Sequence, residues 1–178
     1  MDVFGHSFEG VLLARIAAPQ DSPAERRYYL GVCIGASLLP DMDAISYLWG
    51  PDAFALVHQR YTHTIFALIV LPPLFALFVR MVHKRHTWLK TYLLSLAAMI
   101  VHISSDLIAH WPVEFFYPLS RKGWTLGLIR KDFSLVADLI LITGSLVTFY
   151  DKAVKYRRSL SLITIFLLVG YLLFGPGY

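Results

Sequence analysis

With 178 residues, 57% of them hydrophobic, and a mean hydropathy of +0.58, the chain exceeds the roughly 45–50% apolar content of an ordinary soluble domain. Only 16% of residues are charged, and the net charge of +4 does not signal a nucleic-acid partner, because the basic residues gather at the ends of apolar segments as membrane anchors do. The single cysteine, Cys33, excludes an internal disulfide and a thiolate metal cluster.

Six helical segments are expected, in a single domain over residues 1–178. The first runs from Phe4 to Ala17 and stops before Pro19. It carries Glu9 and His6 where a cleavable signal peptide would have an apolar core, so no such peptide is expected. The second, Tyr28 to Leu39, ends at Pro40. The third, Thr64 to Val82, contains Pro72-Pro73, which neighbouring helices make tolerable in a membrane. The fourth is Trp88 to His110, stopped by Pro112; the fifth is Ser134 to Tyr150; the sixth is Ser159 to Phe174. The residues from Ser159 to Tyr178 carry no charge, about the length needed to cross a bilayer. Twelve residues of helix cover only about 18 Å, so the first two segments are short for spanning. They read as half-inserted, re-entrant or buried as a hairpin. The fold expected is an all-α polytopic membrane bundle, with about four full transmembrane helices and two shorter N-terminal ones.

Alternation of these segments sorts the charges. Arg15, Arg26, Arg27, Arg80, Lys84, Arg85, Lys90, Lys152, Lys155, Arg157 and Arg158 fall on one side. The other side holds only Arg60, Arg121, Lys122, Arg130 and Lys131, among several acids. Cytoplasmic loops are the basic ones, so the first side is expected in the cytoplasm. The same alternation collects His6, Asp41, Asp43, His58, His63, His102, Asp106, His110 and Asp138 at the opposite end.

These are ligand-type residues. His102, Asp106 and His110 recur every four positions, so a helix stacks them on nearly one face. Ionisable groups in so apolar a segment are expensive and call for a partner or a metal. Imidazole with carboxylate suits zinc, with manganese or iron as alternatives, and the clusters could hold one to three ions. Asp41 and Asp43 follow Pro40 in a turn, where they could ligate, orient a water or take its proton. His58 and His63 lie at the start of the third segment, with Arg60 between them suited to an anionic group and Thr62 suited to cap the helix. Asp138 is an intramembrane carboxylate. No serine elbow or phosphate-cradling glycine loop occurs, so hydrolysis would use a water made acidic by the metal.

The order of these motifs resembles the inner-membrane, metal-dependent hydrolases of bacteria and archaea, of the LexA-regulated membrane hydrolase type. The likeness rests on His6, Leu39-Pro40-Asp41-Met42-Asp43, His58-x4-His63 before an apolar helix, and His102-x3-Asp106. The family's His-Arg-Gly-x-Thr-His-Ser reads His-Gln-Arg-Tyr-Thr-His-Thr here, with the arginine displaced by one and the glycine absent. His110-Trp111-Pro112 stands where the family has Thr-Pro-x-Gly. The ligand order is also similar, distantly, to zinc-dependent phospholipases C and related single-strand nucleases. The resemblance implies attachment to the inner membrane and metal-dependent hydrolysis, while the residues themselves suggest that Asp41, Asp43 and Arg60 act on a phosphoester of a lipid or lipid-linked substrate at the outer face. A metal-ion transporter or binding protein without hydrolytic activity is the alternative, and a structural polar network between helices is a third reading.

Overall fold

A computed structural model describes residues 3–19, 22–109, 112–128, 134–149 and 155–174. Seven α-helices are present among them: α1 Val3–Ala17, α2 Pro23–Ser37, α3 Pro51–Val57, α4 Ile65–Val82, α5 Trp88–Ile108, α6 Ser134–Val147 and α7 Arg157–Phe174. A 3-10 segment, Pro40–Trp49, joins α2 to α3. All six expected helices are there with shifted ends, and the 3-10 segment and α3 are additions.

Local sequence sets several of these ends. α2 starts five residues before the expected Tyr28 because Ser22 accepts a hydrogen bond from the Glu25 amide at 3.3 Å, and Pro23 fits the first helical position. Thr64 caps α4 through the Ala67 amide at 3.1 Å, so the cap is Thr64 and not Thr62. Thr87 does the same for α5 through Lys90. At its other end α5 stops at Ile108. The carbonyls of Leu107 and Ile108 then accept from the amides of Leu126 and Leu128, and that of Ala109 accepts from the Thr125 hydroxyl. Residues 112–128 thus satisfy groups that a helix terminus leaves unpaired.

α1 is the central strut. It packs on α2, α5, α6 and α7, and its side chains from Glu9 to Leu12 and at Ala14 and Arg15 are mostly buried. With α2 it makes an antiparallel hairpin: the Ser37 hydroxyl donates to the His6 carbonyl, and Gly10 lies against Cys33 and Ile34. The first two segments thus form a helical hairpin, in which α1 is the more buried partner.

The inward face of α5 is Thr91, Ser95, Ala98, Met99, His102, Ile103 and Asp106, a stripe at helical spacing. Leu89, Leu93 and Ile100 point outward, as do Ile69, Val70, Leu74, Leu77 and Phe78 of α4. Polar groups inside and apolar groups outside are the reverse of a soluble helix. Among the described residues two helices, α4 and α5, are long and apolar enough to cross a membrane, fewer than the four spans expected.

The two ends of the bundle differ in chemistry. At one end Lys90 pairs with Glu25 at 2.8 Å, His86 stacks on Tyr28, and the backbone carbonyls of Thr148 and Ala18 accept from Arg157 and Arg158. At the other end lie His6, Asp41, Asp43, His58, His63, His102 and Asp106.

Gly10 is the tightest point of the α1–α2 crossing. A Cβ there would stand 2.8 Å from the Cys33 carbonyl oxygen and from the Ile34 Cα, both backbone atoms. Gly10→Val is expected to cost about 1–3 kcal/mol of stability by overpacking. Thermal or denaturant unfolding in detergent measures it, and a variant as stable as the parent would show that the helices can part at no cost.

Candidate metal centre

Four elements bring their ends together. His6 comes from the first turns of α1, Asp41 from the start of the 3-10 segment, His63 from the residues just before α4, and His102 and Asp106 from the last turns of α5. All five are buried; His63 and His102 are fully so, and Asp41 retains 9% exposure. His63 Nε2 lies 3.1 Å from His102 Nε2 and 3.2 Å from Asp106 Oδ2. His102 Nε2 is 3.4 Å from the same Oδ2, and His6 Nε2 is 3.2 Å from Asp106 Oδ1. Asp41 Oδ1 stands 3.7 Å from the Nε2 atoms of both His63 and His102. The donors fall into two overlapping triads, His6–Asp41–His102 and His63–His102–Asp106.

The other nitrogen of each ring is committed. His102 Nδ1–H donates to the Ser37 carbonyl at 2.7 Å, and His6 Nδ1–H to Glu9 Oε2 at 3.0 Å. His63 Nδ1 meets the Thr62 hydroxyl at 3.1 Å, which itself donates to Asp43 Oδ2 at 2.7 Å. A carbonyl only accepts, so the neutral His102 ring has its lone pair on Nε2. With His63 held in the same sense, two lone pairs face each other across 3.1 Å. That contact is repulsive unless a proton or a cation lies between them.

The spacing suits a cation. Donors about 2.0–2.2 Å from a tetrahedral ion are about 3.3–3.6 Å apart, close to the separations here. Imidazoles whose far nitrogen is tied to a carboxylate or carbonyl are the usual metal-ligand arrangement. Electrostatics point the same way. Burial by itself would raise the Asp41 pKa, yet its contacts with His63, His102 and His6 outweigh burial and hold it below the ordinary carboxylate value. Burial likewise opposes charge on His63, but Asp106 and Asp41 raise its pKa above that of a free imidazole. The cluster attracts positive charge to this point.

The remaining candidates sit elsewhere. Asp43 lies outside both triads; it accepts from His58 Nδ1 at 2.8 Å, from the Gln59 amide at 3.2 Å and from Thr62. It shapes the turn that presents His63. His58, a quarter exposed, is turned to Asp43 and stacked on Phe54. Arg60 donates twice to Glu114 Oε1, at 2.9 and 3.2 Å, tying the same turn to residues 112–128. Asp138 is buried in the first half of α6 and belongs to neither triad. His110 lies outside the described residues. Glu9, Ser37 and Glu114 were not anticipated. Glu9 alone left a signal, three residues after His6 on the same helix face.

The fold and this cluster define an all-helical membrane protein with imidazoles and carboxylates buried at one end of its bundle. The chain belongs to the YdjM inner membrane protein family, whose model matches residues 1–176. It is also 27% identical over 138 residues to an uncharacterized protein, YfhP, of Bacillus subtilis strain 168; the match covers 73% of this chain and 41% of that relative. The chain thus spans well under half the length of that relative. No solved structure matches it.

Asp43→Asn would remove a charged acceptor from three donors. It is expected to cost about 1.5–3 kcal/mol and to speed exchange of the Gln59 amide. Hydrogen-exchange mass spectrometry over residues 58–64 tests this, and unchanged protection would mean that Asp43 does not order the turn.

Proposed function

We propose that the chain is a membrane-bound, metal-dependent hydrolase whose centre is formed by His6, Asp41, His63, His102 and Asp106. The observation that supports this best is the convergence of three Nε2 atoms and two carboxylates while the opposite ring nitrogens are occupied. The donor set suits zinc first and manganese or iron next. A divalent ion bound there supplies Lewis acidity and brings the pKa of a water toward neutrality.

The chain's own groups do the rest. His6, His63 and His102 hold, and Glu9, Ser37 and Thr62 fix the tautomers. Asp41, the least buried of the five donors, is the carboxylate placed to orient a nucleophilic water or take its proton. Asp43 has its oxygens occupied by three donors and is a positioning residue in this reading. Arg60 braces the turn through Glu114 and is the nearest candidate for an anionic substrate group on that turn.

A lipid or lipid-linked phosphoester is the favoured substrate. The 3-10 segment buries Asp41, Asp43 and Ser46 but exposes Met42, Ile45, Tyr47, Leu48 and Trp49. Tyrosine and tryptophan amid apolar residues suit the membrane interface, so a lipid substrate would meet the centre without leaving the membrane. The charge asymmetry supports a site on the outer face. The apolar α6 and the 18-residue α7 support further spans beside α4 and α5. Collection of the donors at one end, and not through the depth of the bundle, disfavours an ion-permeation role.

Purified protein is expected to carry close to one or two equivalents of zinc, manganese or iron, and His102→Ala and Asp106→Ala to fall to background in elemental analysis. Equal, negligible metal in all three would end the proposal. The loaded protein should release phosphate or a head group from a phospholipid panel; full metal without turnover on a broad phosphoester panel would refute the hydrolase and leave a binding role.

A further inference from the structure

A second site is suggested at the opposite, basic end. α2 and α4 both pack on α5 but scarcely meet each other, which leaves a groove of about 690 Å³ between them. Its walls are Val32 of α2 and Phe75, Phe78, Val79 and Val82 of α4. Two glycines set its extent. A Cβ on Gly31 would meet no atom within 4 Å, whereas one on Gly35 would stand 2.9 Å from the Phe75 ring. The groove is therefore open at Gly31 and closed one turn later.

Its rim has a different chemistry. Arg27 and Arg85 line it together with His83 and His86, and no carboxylate does among the described residues. Both arginines are exposed, and neither forms an ion pair with a carboxylate among the described residues. The nearby acid, Glu25, is engaged by Lys90 at 2.8 Å and His86 at 3.6 Å. α4 is one of the two helices able to cross the membrane and ends at Val82, so the rim lies at a membrane boundary and the apolar walls lie in the hydrocarbon. An apolar slot with a cationic mouth at that depth fits an amphiphile with a negative head. Basic pockets between membrane helices bind anionic head groups in this way. A zwitterionic lipid would bring an ammonium group to a rim whose neighbouring carboxylate among the described residues, Glu25, is already engaged by Lys90 and His86.

We propose that this groove holds an anionic phospholipid of the surrounding membrane, with one acyl chain against Gly31, Phe75 and Phe78 and the phosphate between Arg27 and Arg85. The site is separate from the metal centre and does not depend on any activity there.

The test is lipid titration of the purified full chain in detergent, read by native mass spectrometry. Phosphatidylglycerol and phosphatidylcholine with the same acyl chains are compared, with inorganic phosphate as a third arm. The parent should bind phosphatidylglycerol about tenfold or more tightly than phosphatidylcholine, and phosphate alone should not bind. The double variant Arg27→Ala, Arg85→Ala should lose the preference. Gly31→Leu should fill the slot and weaken both lipids without lowering the unfolding temperature, because its Cβ enters open space. Equal affinity for the two lipids, a preference that survives the double variant, or phosphate binding as strong as lipid binding would each overturn the proposal.

Discussion

Every imidazole in the cluster has one nitrogen to satisfy and one to aim, and the surrounding structure depends on that constraint. Burying a histidine with an unpaired polar atom is costly, so the Ser37 carbonyl, Glu9 and Thr62 occupy the Nδ1 atoms. What remains is aimed inward, toward Asp41 and Asp106. Each partner imposes a packing requirement. The Ser37 carbonyl is available because α2 ends there, and Glu9 is in place because α1 is helical through both residues.

The rest of the bundle reads as support for this arrangement. α1 reaches the centre of the molecule because Gly10 lets its backbone approach α2. The turn at residues 58–63 has no regular structure of its own, so Asp43 and the Arg60–Glu114 pair hold it from two sides. Residues 112–128 close the end of α5 through backbone bonds and supply Glu114. Stability and site geometry are thus served by the same contacts at this end of the molecule.

The part of this that was legible in the sequence was the part with a period. His102 and Asp106 are one helical turn apart, and their neighbours Ser95 and Met99 complete a stripe that the structure turns inward. Alternation of the helices was enough to bring His6, Asp41 and His63 to the same end. Spacing could not choose between His58 and His63, or between Asp41 and Asp43, because both pairs sit in turns where direction is set by distant partners. Glu114 is 54 residues from Arg60, and no local pattern announces such a pair. The 3-10 segment was also hidden: Met42 to Trp49 is apolar but lacks a helical or strand period, and its burial pattern follows from the aspartates it must deliver.

The spacing of polar groups along the helices has a consequence for the lipid around them. From Lys90 to His102 is about 18 Å of helix, and from Lys90 to Asp106 about 24 Å, whereas a bilayer's hydrocarbon core is about 30 Å thick. Were the basic ends anchored at one boundary, the cluster would stand short of the far boundary, next to a 3-10 segment that exposes Ile45, Leu48 and Trp49. Two 15-residue helices are shorter than that core, so lipids beside a membrane-embedded α1–α2 hairpin would tilt, compress or yield to water. The thinnest membrane around this protein would then lie directly over its most polar interior.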